Sequence, residues 1–582
     1  MKHPKIPLAQ TVVQLCKAKN IQHIVLSPGS RNAPLTIGFS HDPFFNCYSI
    51  VDERCAAFFA LGIAQQIQEP VAVVCTSGSA LLNYYPAVAE AFYSNIPLVI
   101  LSADRPKHLV GIGDGQTINQ EDVFKNHILY SANLKQDLSE ENKLELEELH
   151  ILKNIKNKLE KYLGLQRTIQ QHNEEQINAA INTSISQKGP IHINVPFNEP
   201  LYDMVNELVV NPKVIPLSNN GIEVEDLSAF IKQWNIAKRK LVLVGSNLPN
   251  TVNQNYLDIL AADESVLVLT ETTSNIHHER FIPGIDKLIA ALNTKEFEAL
   301  KPDILLTFGG LVVSKKIKKF LREYKPKQHW HVGEHNANNT YFVLNKVFKT
   351  SVNTFFSKFL VKTKAIQSDY NNFWLSAFKS RREKHEDYIK LMPYCDFKVF
   401  AILLNAIPRH SQFQVGNSSA IRYTQLFDLD TTIQVFCNRG TSGIDGSTST
   451  AIGAALASPL QTTFITGDLS FLYDSNALWN NYTPNNFRII VINNGGGGIF
   501  RILPGHKNTS NFDTFFETKH NLTAKHLCQM FGFEYATAKN EKELSVHLDN
   551  FYTVGKQPKL LEVFTPGDKN DEILLNYFAK IK

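Results

Sequence analysis

Short apolar runs, each closed by small and polar residues, recur along the first 200 residues. Ile21–Leu26 ends in Ser27-Pro28-Gly29-Ser30-Arg31. Tyr48–Val51 ends in Asp52-Glu53-Arg54, and Cys55–Gln66 carries a helical pattern. Val71–Cys75 ends in Thr76-Ser77-Gly78-Ser79, with a helix to Phe92. Pro97–Leu101 ends in Ser102-Ala103-Asp104-Arg105-Pro106, and Ile191–Pro196 is the last run. Strand, polar turn and helix in repetition predict a parallel, doubly wound α/β sheet. In such a sheet the polar strand ends lie along one edge, where ligands bind.

Two further α/β units follow. Leu241–Gly245, Val266–Leu269 and Ile304–Gly310 are strands of the second. Phe413–Val415, Gln434–Phe436, Phe464–Thr466, Arg488–Ile492 and Lys559–Val563 belong to the third. The units are expected over 1–200, 215–365 and 390–582. Residues 361–395 read as a connecting helix. Residues 134–175 break the pattern, and Leu144–Leu163, Glu-rich and then Lys-rich, reads as a solvated surface helix or insertion. The first and third units share a pattern without a close repeat. No Gly-x-Gly-x-x-Gly follows any strand of the second unit, which disfavours a nicotinamide-type oxidoreductase.

Composition adds bounds. The chain has 582 residues, 43% hydrophobic and 20% charged, with a formal net charge of +4. That length suggests about three or four domains. The small charge gives no reason to expect a nucleic-acid partner, so basic residues that matter act locally. No apolar run suits a membrane span or a signal peptide, and the expected location is the cytoplasm. The seven cysteines are scattered without CxxC pairs, as expected of reduced structural thiols.

The richest chemistry lies in Gly467–Phe500. Gly467-Asp468-Leu469-Ser470 follows one strand, Ser475–Asn480 reads as a helix, and the next strand ends in Asn493-Asn494-Gly495-Gly496-Gly497-Gly498. Asp468 and Asn494 stand about one strand–helix–strand unit apart and emerge on the ligand edge. A carboxylate and an amide carbonyl are hard oxygen donors suited to Mg²⁺. A glycine run lets backbone N–H groups meet phosphate oxygens. Together they read as a Mg²⁺–diphosphate site. Arg31, Arg105, Arg422 and Arg439 also follow strands, and Lys315 and Lys316 follow the Gly309-Gly310 turn. Arg binds carboxylates in a bidentate fork, so this set suits a substrate with more than one carboxylate. Gln116 adds a neutral donor.

Gly-Asp, this gap and Asn-Asn resemble the fingerprint of thiamine diphosphate (ThDP)-dependent enzymes, with Leu469 replacing the usual third-position Gly. The resemblance extends over nearly the whole chain. Its most specific parts are Ser27-Pro28-Gly29-Ser30-Arg31 and Asn438-Arg439-Gly440-Thr441-Ser442-Gly443-Ile444-Asp445-Gly446. It implies that Asp468, Asn494 and the Gly496 carbonyl hold Mg²⁺ (or Mn²⁺) on the diphosphate. Asn417, Ser418, Leu469, Ser470 and Ile499 are implied to line the cofactor, with Ile444 wedged between its rings. Glu53 is implied to be catalytic, sharing a proton with N1′ of the aminopyrimidine. The branch it most resembles decarboxylates 2-oxoglutarate and adds the succinyl fragment to isochorismate by 1,4-addition. Ser30, Arg31, Arg105, Gln116, Lys315, Lys316, Arg422, Arg439 and Phe500 would bind these two dianions. The runner-up is another ThDP carboligase or decarboxylase, such as an acetolactate-synthase-like enzyme. The resemblance also implies a homodimer or dimer of dimers. In it Glu53 comes from one subunit, and Asp468 and Asn494 from its partner.

Overall fold

The computed structural model describes residues 2–138, 152–217, 226–335, 337–502 and 509–582. Among them the chain builds three predominantly buried parallel sheets flanked by helices. The first holds β2 (His23–Leu26), β3 (Asn46–Ser49), β4 (Val71–Cys75), β5 (Leu98–Asp104), β6 (Tyr130–Asn133) and β7 (Ile191–Pro196), in the order β3-β2-β4-β5-β7-β6. A small antiparallel pair, β1 (His3–Pro4) with β8 (Met204–Val205), ties its two ends. The second sheet holds β9 (Lys240–Val244), β10 (Val266–Leu269), β11 (Ile304–Phe308), β12 (Gln328–Val332) and β13 (Lys346–Phe348), ordered β10-β9-β11-β12-β13. The third holds β14 (Gln412–Val415), β15 (Gln434–Phe436), β16 (Thr462–Gly467), β17 (Arg488–Asn493), β18 (Glu534–Ala538) and β19 (Lys559–Phe564), ordered β15-β14-β16-β17-β19-β18.

The first and third orders are the same permutation. In each, the chain steps to one side of its first strand and then back to the other. The order therefore reverses between β2 and β4, and between β14 and β16. Parallel sheets bind ligands in the crevice at such a reversal. Strands β4, β5, β9, β11 and β17 are buried throughout, because helices cover both faces of a parallel sheet.

The chain divides into two compact units. One comprises residues 1–219 with 448–459 and 474–483. The other comprises 220–447, 460–473 and 484–582. Within the first, helix Glu53–Ile67 runs against helix Ser447–Ala457. A methyl group built on Gly62 would lie 2.1 Å from the Thr450 carbonyl oxygen, and one on Gly453 would lie 2.0 Å from that of Phe59. Only glycine at both crossings lets the backbones approach this closely.

Several elements differ from the sequence expectation. The chain turns helical at once after β16, over Asp468–Tyr473, and Ser475–Leu478 is a single 3₁₀ turn instead of the expected helix. Asp468 favours that early start, since its Oδ1 accepts the Leu469 N–H at 2.7 Å in the first turn. Residues 152–187 form one long helix, Leu152–Gln187. Beyond the stretch expected to be solvated, Ile177, Ala180 and Ile181 of this helix are wholly buried against the first sheet's core. The expected solvation of Leu144–Leu163 lies outside the described residues, which give only the helical backbone of that stretch from Leu152 onward. Strands β6, β12, β13 and β18 were not foreseen. The connecting helix is Tyr370–Leu391. All seven cysteines are free thiols. No helix among the described residues is long and apolar enough to cross a membrane.

Candidate active site

A cleft of about 200 Å³ opens at the carboxyl end of the third sheet, at the β14/β16 reversal. Asn417 and Ser418 reach it from the end of β14, Gly467 through Ser470 from β16, and Asn494 with Gly496–Phe500 from β17. Ile444 closes one side, held where Ser470 Oγ donates to its carbonyl at 3.0 Å. Every residue expected at the cofactor except Glu53 thus lines one cleft, as does Phe500, which is 39% exposed.

Asp468 is nearly buried, and its carboxylate organises the glycine turn. Oδ2 accepts the N–H of Gly495 at 2.9 Å and of Gly496 at 3.1 Å. His520 Nε2 approaches the same oxygen at 3.4 Å, and that contact raises the His520 pKa. Gly496 sits at φ +152°, where a β-carbon would also meet the Glu517 carbonyl oxygen at 2.6 Å. Only glycine holds this position without moving the turn. Asp468 Oδ1, Asn494 Oδ1 and the Gly496 carbonyl form an all-oxygen set suited to a hard divalent cation. The site thereby passes a chemical test of fit for Mg²⁺ with a diphosphate.

The Asn417 side chain is engaged within the protein. Its Nδ2 donates to the carbonyls of Asn438 and Gly443 at 2.8 and 2.7 Å, and its Oδ1 accepts from Arg439 at 2.6 Å. Its amide shapes the loop carrying Arg439 and Ile444, and those bonds leave no N–H to offer a diphosphate. Ser418 caps helix Ser419–Thr424 with φ +65°, and its carbonyl accepts from Arg422 at 2.7 Å. Arg422 and Arg439 are electrostatic neighbours; burial and that repulsion lower the Arg422 pKa. Arg439 Nε is buried without a hydrogen-bond partner among the described residues. A buried orphan donor beside a second cation is suited to an incoming carboxylate.

Lys315 and Lys316 open helix Lys315–Glu323 and are exposed, with Lys316 Nζ 4.5 Å from the Phe578 ring centroid. A buried carboxylate, Glu271, and a half-buried one, Asp286, fix this helix start. Glu271 accepts the N–H groups of Val313 and Ser314 at 2.7 and 2.8 Å, and Asp286 accepts from Ser314 Oγ. Burial pushes the Glu271 pKa up to about 7 against the pull of those N–H groups. Lys318, on the same helix, has Glu271 and Arg439 as charge neighbours.

The other candidates gather on the first sheet's ligand edge. Arg31 is buried; it donates to the Phe197 carbonyl at 3.1 Å and pairs with Glu199 at 3.2 Å. Arg105, its electrostatic neighbour, donates to the Gly115 carbonyl at 2.9 Å and pairs with Asp114 at 3.1 Å. Ser30 and Gln116 are exposed beside them. Glu53 is half-buried and starts its helix, with Cys75 and Tyr84 as charge neighbours. The preceding turn is pinned: Asp52 Oδ1 accepts the Cys55 N–H at 3.1 Å, and Oδ2 accepts from Asn476 Nδ2 at 2.8 Å. Asp474, wholly buried, accepts from the Ser449 N–H and hydroxyl at 2.7 and 2.8 Å and from Cys55 Sγ at 3.5 Å. Burial raises its pKa to about 7.

Sequence reasoning missed Asp396, which lines the cleft, along with His520, Glu271, Asp286, Lys318 and Asp474. Asp396 and Asp286 carried a signal, an acidic residue in the first turn of a helix. The others act through partners distant in sequence.

Known proteins resemble this chain from end to end. The family model for the thiamine pyrophosphate enzyme N-terminal TPP binding domain matches residues 6–127, and that for the C-terminal TPP binding domain matches 414–563. A curated protein of Flavobacterium psychrophilum is 53% identical over 100% of both chains, and one of Christiangramia forsetii is 55% identical over 100% of both. One of Bacteroides thetaiotaomicron is 36% identical over 98% of each. All three carry the name 2-succinyl-5-enolpyruvyl-6-hydroxy-3-cyclohexene-1-carboxylate synthase.

Proposed function

The chain belongs to the 2-succinyl-5-enolpyruvyl-6-hydroxy-3-cyclohexene-1-carboxylate (SEPHCHC) synthase family of thiamine pyrophosphate enzymes, and from that premise we propose that it joins 2-oxoglutarate to isochorismate. The products are SEPHCHC and CO₂, and the pathway is menaquinone biosynthesis. The observation that carries the reading is the oxygen donor set of Asp468, Asn494 and Gly496 beside a glycine turn at the β14/β16 reversal.

Asp468, Asn494 and the Gly496 carbonyl would hold Mg²⁺ or Mn²⁺, with the glycine N–H groups toward the diphosphate. When bound, thiamine diphosphate supplies an electron sink for the decarboxylation. Ile444 and Ile499 fix the apolar side of the cleft. Glu53, half-buried at the start of its helix, holds the proton exchanged with the aminopyrimidine N1′.

Both substrates are dianions. Arg31 with Arg105, and Arg422 with Arg439, are two cation pairs, each forced together inside the protein. Opposing carboxylates relieve that repulsion, more strongly in a low dielectric than in water. At Arg105 a substrate carboxylate competes with Asp114. Lys315, Lys316 and Gln116 add further donors, and Phe500 faces the substrate. The functional assembly is a homodimer or dimer of dimers in the cytoplasm, with Glu53 and the metal ligands of one site drawn from two copies.

The test is product analysis by mass spectrometry with ThDP, Mg²⁺ and isochorismate, offering either 2-oxoglutarate or pyruvate as donor. The reading predicts SEPHCHC from 2-oxoglutarate. Turnover with pyruvate alone would return the chain to the acetolactate-synthase-like alternative.

A further inference from the structure

The Asn494 side chain donates Nδ2–H to Asp396 Oδ2 at 2.9 Å. Asp396 begins helix Asp396–Ala406 and is only 3% exposed. Its other oxygen, Oδ1, accepts from the Thr565 hydroxyl, and its own N–H donates to Asn570 Oδ1 at 3.0 Å. Both carboxylate oxygens are thus engaged inside the protein. Both oxygens act as acceptors, so the Asn494 amide meets the carboxyl group with its NH₂ end. That fixes the rotation of the amide. Asn494 Oδ1 accepts no hydrogen bond among the described residues, while Asn494 lines the same cleft as Asp468.

We propose that Asp396 is a positioning residue that locks the Asn494 amide with its carbonyl oxygen toward the cation. In the empty site an unlocked amide also samples the orientation that turns its NH₂ end to the cation position, which cannot ligate and must be reversed before the cation binds. Outer-shell partners of this kind set metal affinity through the orientation of the direct ligand. Asp396 acts here as a hydrogen-bond acceptor, and its charge is incidental. An asparagine at this position, offering Oδ1 to Asn494 and Nδ2 to the Thr565 oxygen, therefore preserves the lock. The inference rests on the cofactor reading of the cleft given above.

The experiment titrates Mn²⁺ into the full-length protein at saturating ThDP and counts free Mn²⁺ by electron paramagnetic resonance. Wild-type protein that takes up no Mn²⁺ with ThDP would overturn the cofactor reading itself. Given wild-type binding, Asp396→Ala raises the Mn²⁺ Kd by roughly 10–100-fold, and Asp396→Asn keeps it within about threefold. Thr565→Val removes a partner from the same buried carboxylate without touching Asn494. It lowers thermal stability and leaves the Mn²⁺ Kd near wild type. Wild-type affinity in Asp396→Ala overturns the inference. So does an Asp396→Asn loss equal to that of alanine, which would make charge the operative property. A Thr565→Val loss as large as that of Asp396→Ala also overturns it, by assigning the effect to packing.

Discussion

Gly453→Ala sets two physical effects of opposite sign against each other. Gly453 lies within helix Ser447–Ala457, where replacing glycine by alanine gains about 1 kcal/mol of helix propensity. The new β-carbon would lie 2.0 Å from the Phe59 carbonyl oxygen. A carbon–oxygen contact of this kind settles at about 3.3 Å or beyond, so the two helices must part by roughly 1.3 Å. The neighbour is backbone and cannot rotate away as a flexible side chain would. Overpacking costs about 1–3 kcal/mol, occasionally more; a backbone oxygen at 2.0 Å puts this contact in the upper part of that range, about 2–3 kcal/mol, and the propensity gain leaves a net loss of about 1–2 kcal/mol. The consequence reaches chemistry, because Phe59 and Glu53 share helix Glu53–Ile67, less than two turns apart. A shift of about 1 Å at a reacting group can lower the rate by about 10²-fold. Thermal unfolding followed by circular dichroism, with kcat at saturating ThDP, measures both. A melting temperature equal to or above wild type would refute the reasoning, since propensity would then outweigh a contact that is not tight. Gly62→Ala, against the Thr450 carbonyl, reports on the same crossing from the other helix.

Three further predictions bear on the site. Glu53→Gln keeps the shape of the helix start but removes the exchangeable proton site, so ThDP titration stays near wild type while kcat falls about 10²-fold or more; full activity would remove Glu53 from the chemistry. Asp468→Ala removes a proposed cation ligand and the acceptor for two glycine N–H groups, so Mg²⁺-dependent ThDP affinity drops in a fluorescence titration, and unchanged affinity would move the cation elsewhere. Burial pushes the Asp474 pKa up to about 7, well above the ordinary carboxylate range of about 4, so the folded state binds the extra proton in that window. Its contribution to stability is full below about pH 4 and is lost as pH rises through 7; Asp474→Asn makes the fall in melting temperature between pH 5 and 8 shallower, and an identical fall in both proteins would assign the slope to other groups.

Much of the architecture is visible along the chain because parallel strands announce themselves twice, by an apolar run and by the polar turn that ends it. Val71–Cys75, Val266–Leu269 and Ile191–Pro196 have the bounds their apolar runs suggest. The strands that escape notice lack one of these signals. In β12, Gln328-His329-Trp330-His331-Val332, polar residues are interleaved in the run. In β18, Glu534–Ala538, only Ala538 is fully buried. The long helix Leu152–Gln187 runs on past the charged stretch Leu144–Leu163, and Ile177, Ala180 and Ile181 near its C-terminal end turn inward, a burial that the composition of the charged stretch does not announce.

The cleft is legible for a related reason. Most of its residues follow β14, β16 and β17 directly, and topology alone brings those strand ends together. Legibility ends where a role depends on long-range pairing. Asn417 looks like a ligand donor, but its amide is consumed by Asn438, Gly443 and Arg439. Asp396 and Asn494 lie almost a hundred positions apart, and no spacing rule links them.

The account rests most heavily on Gly467–Phe500 as the metal–diphosphate end of the site. The direct measurement is a crystal structure with ThDP and Mn²⁺, with manganese located by its anomalous scattering. The account predicts one strong peak coordinated by Asp468, Asn494 and the Gly496 carbonyl, with the diphosphate against the glycine turn. A manganese peak away from these three oxygens, or a diphosphate bound at another sheet edge, would contradict it.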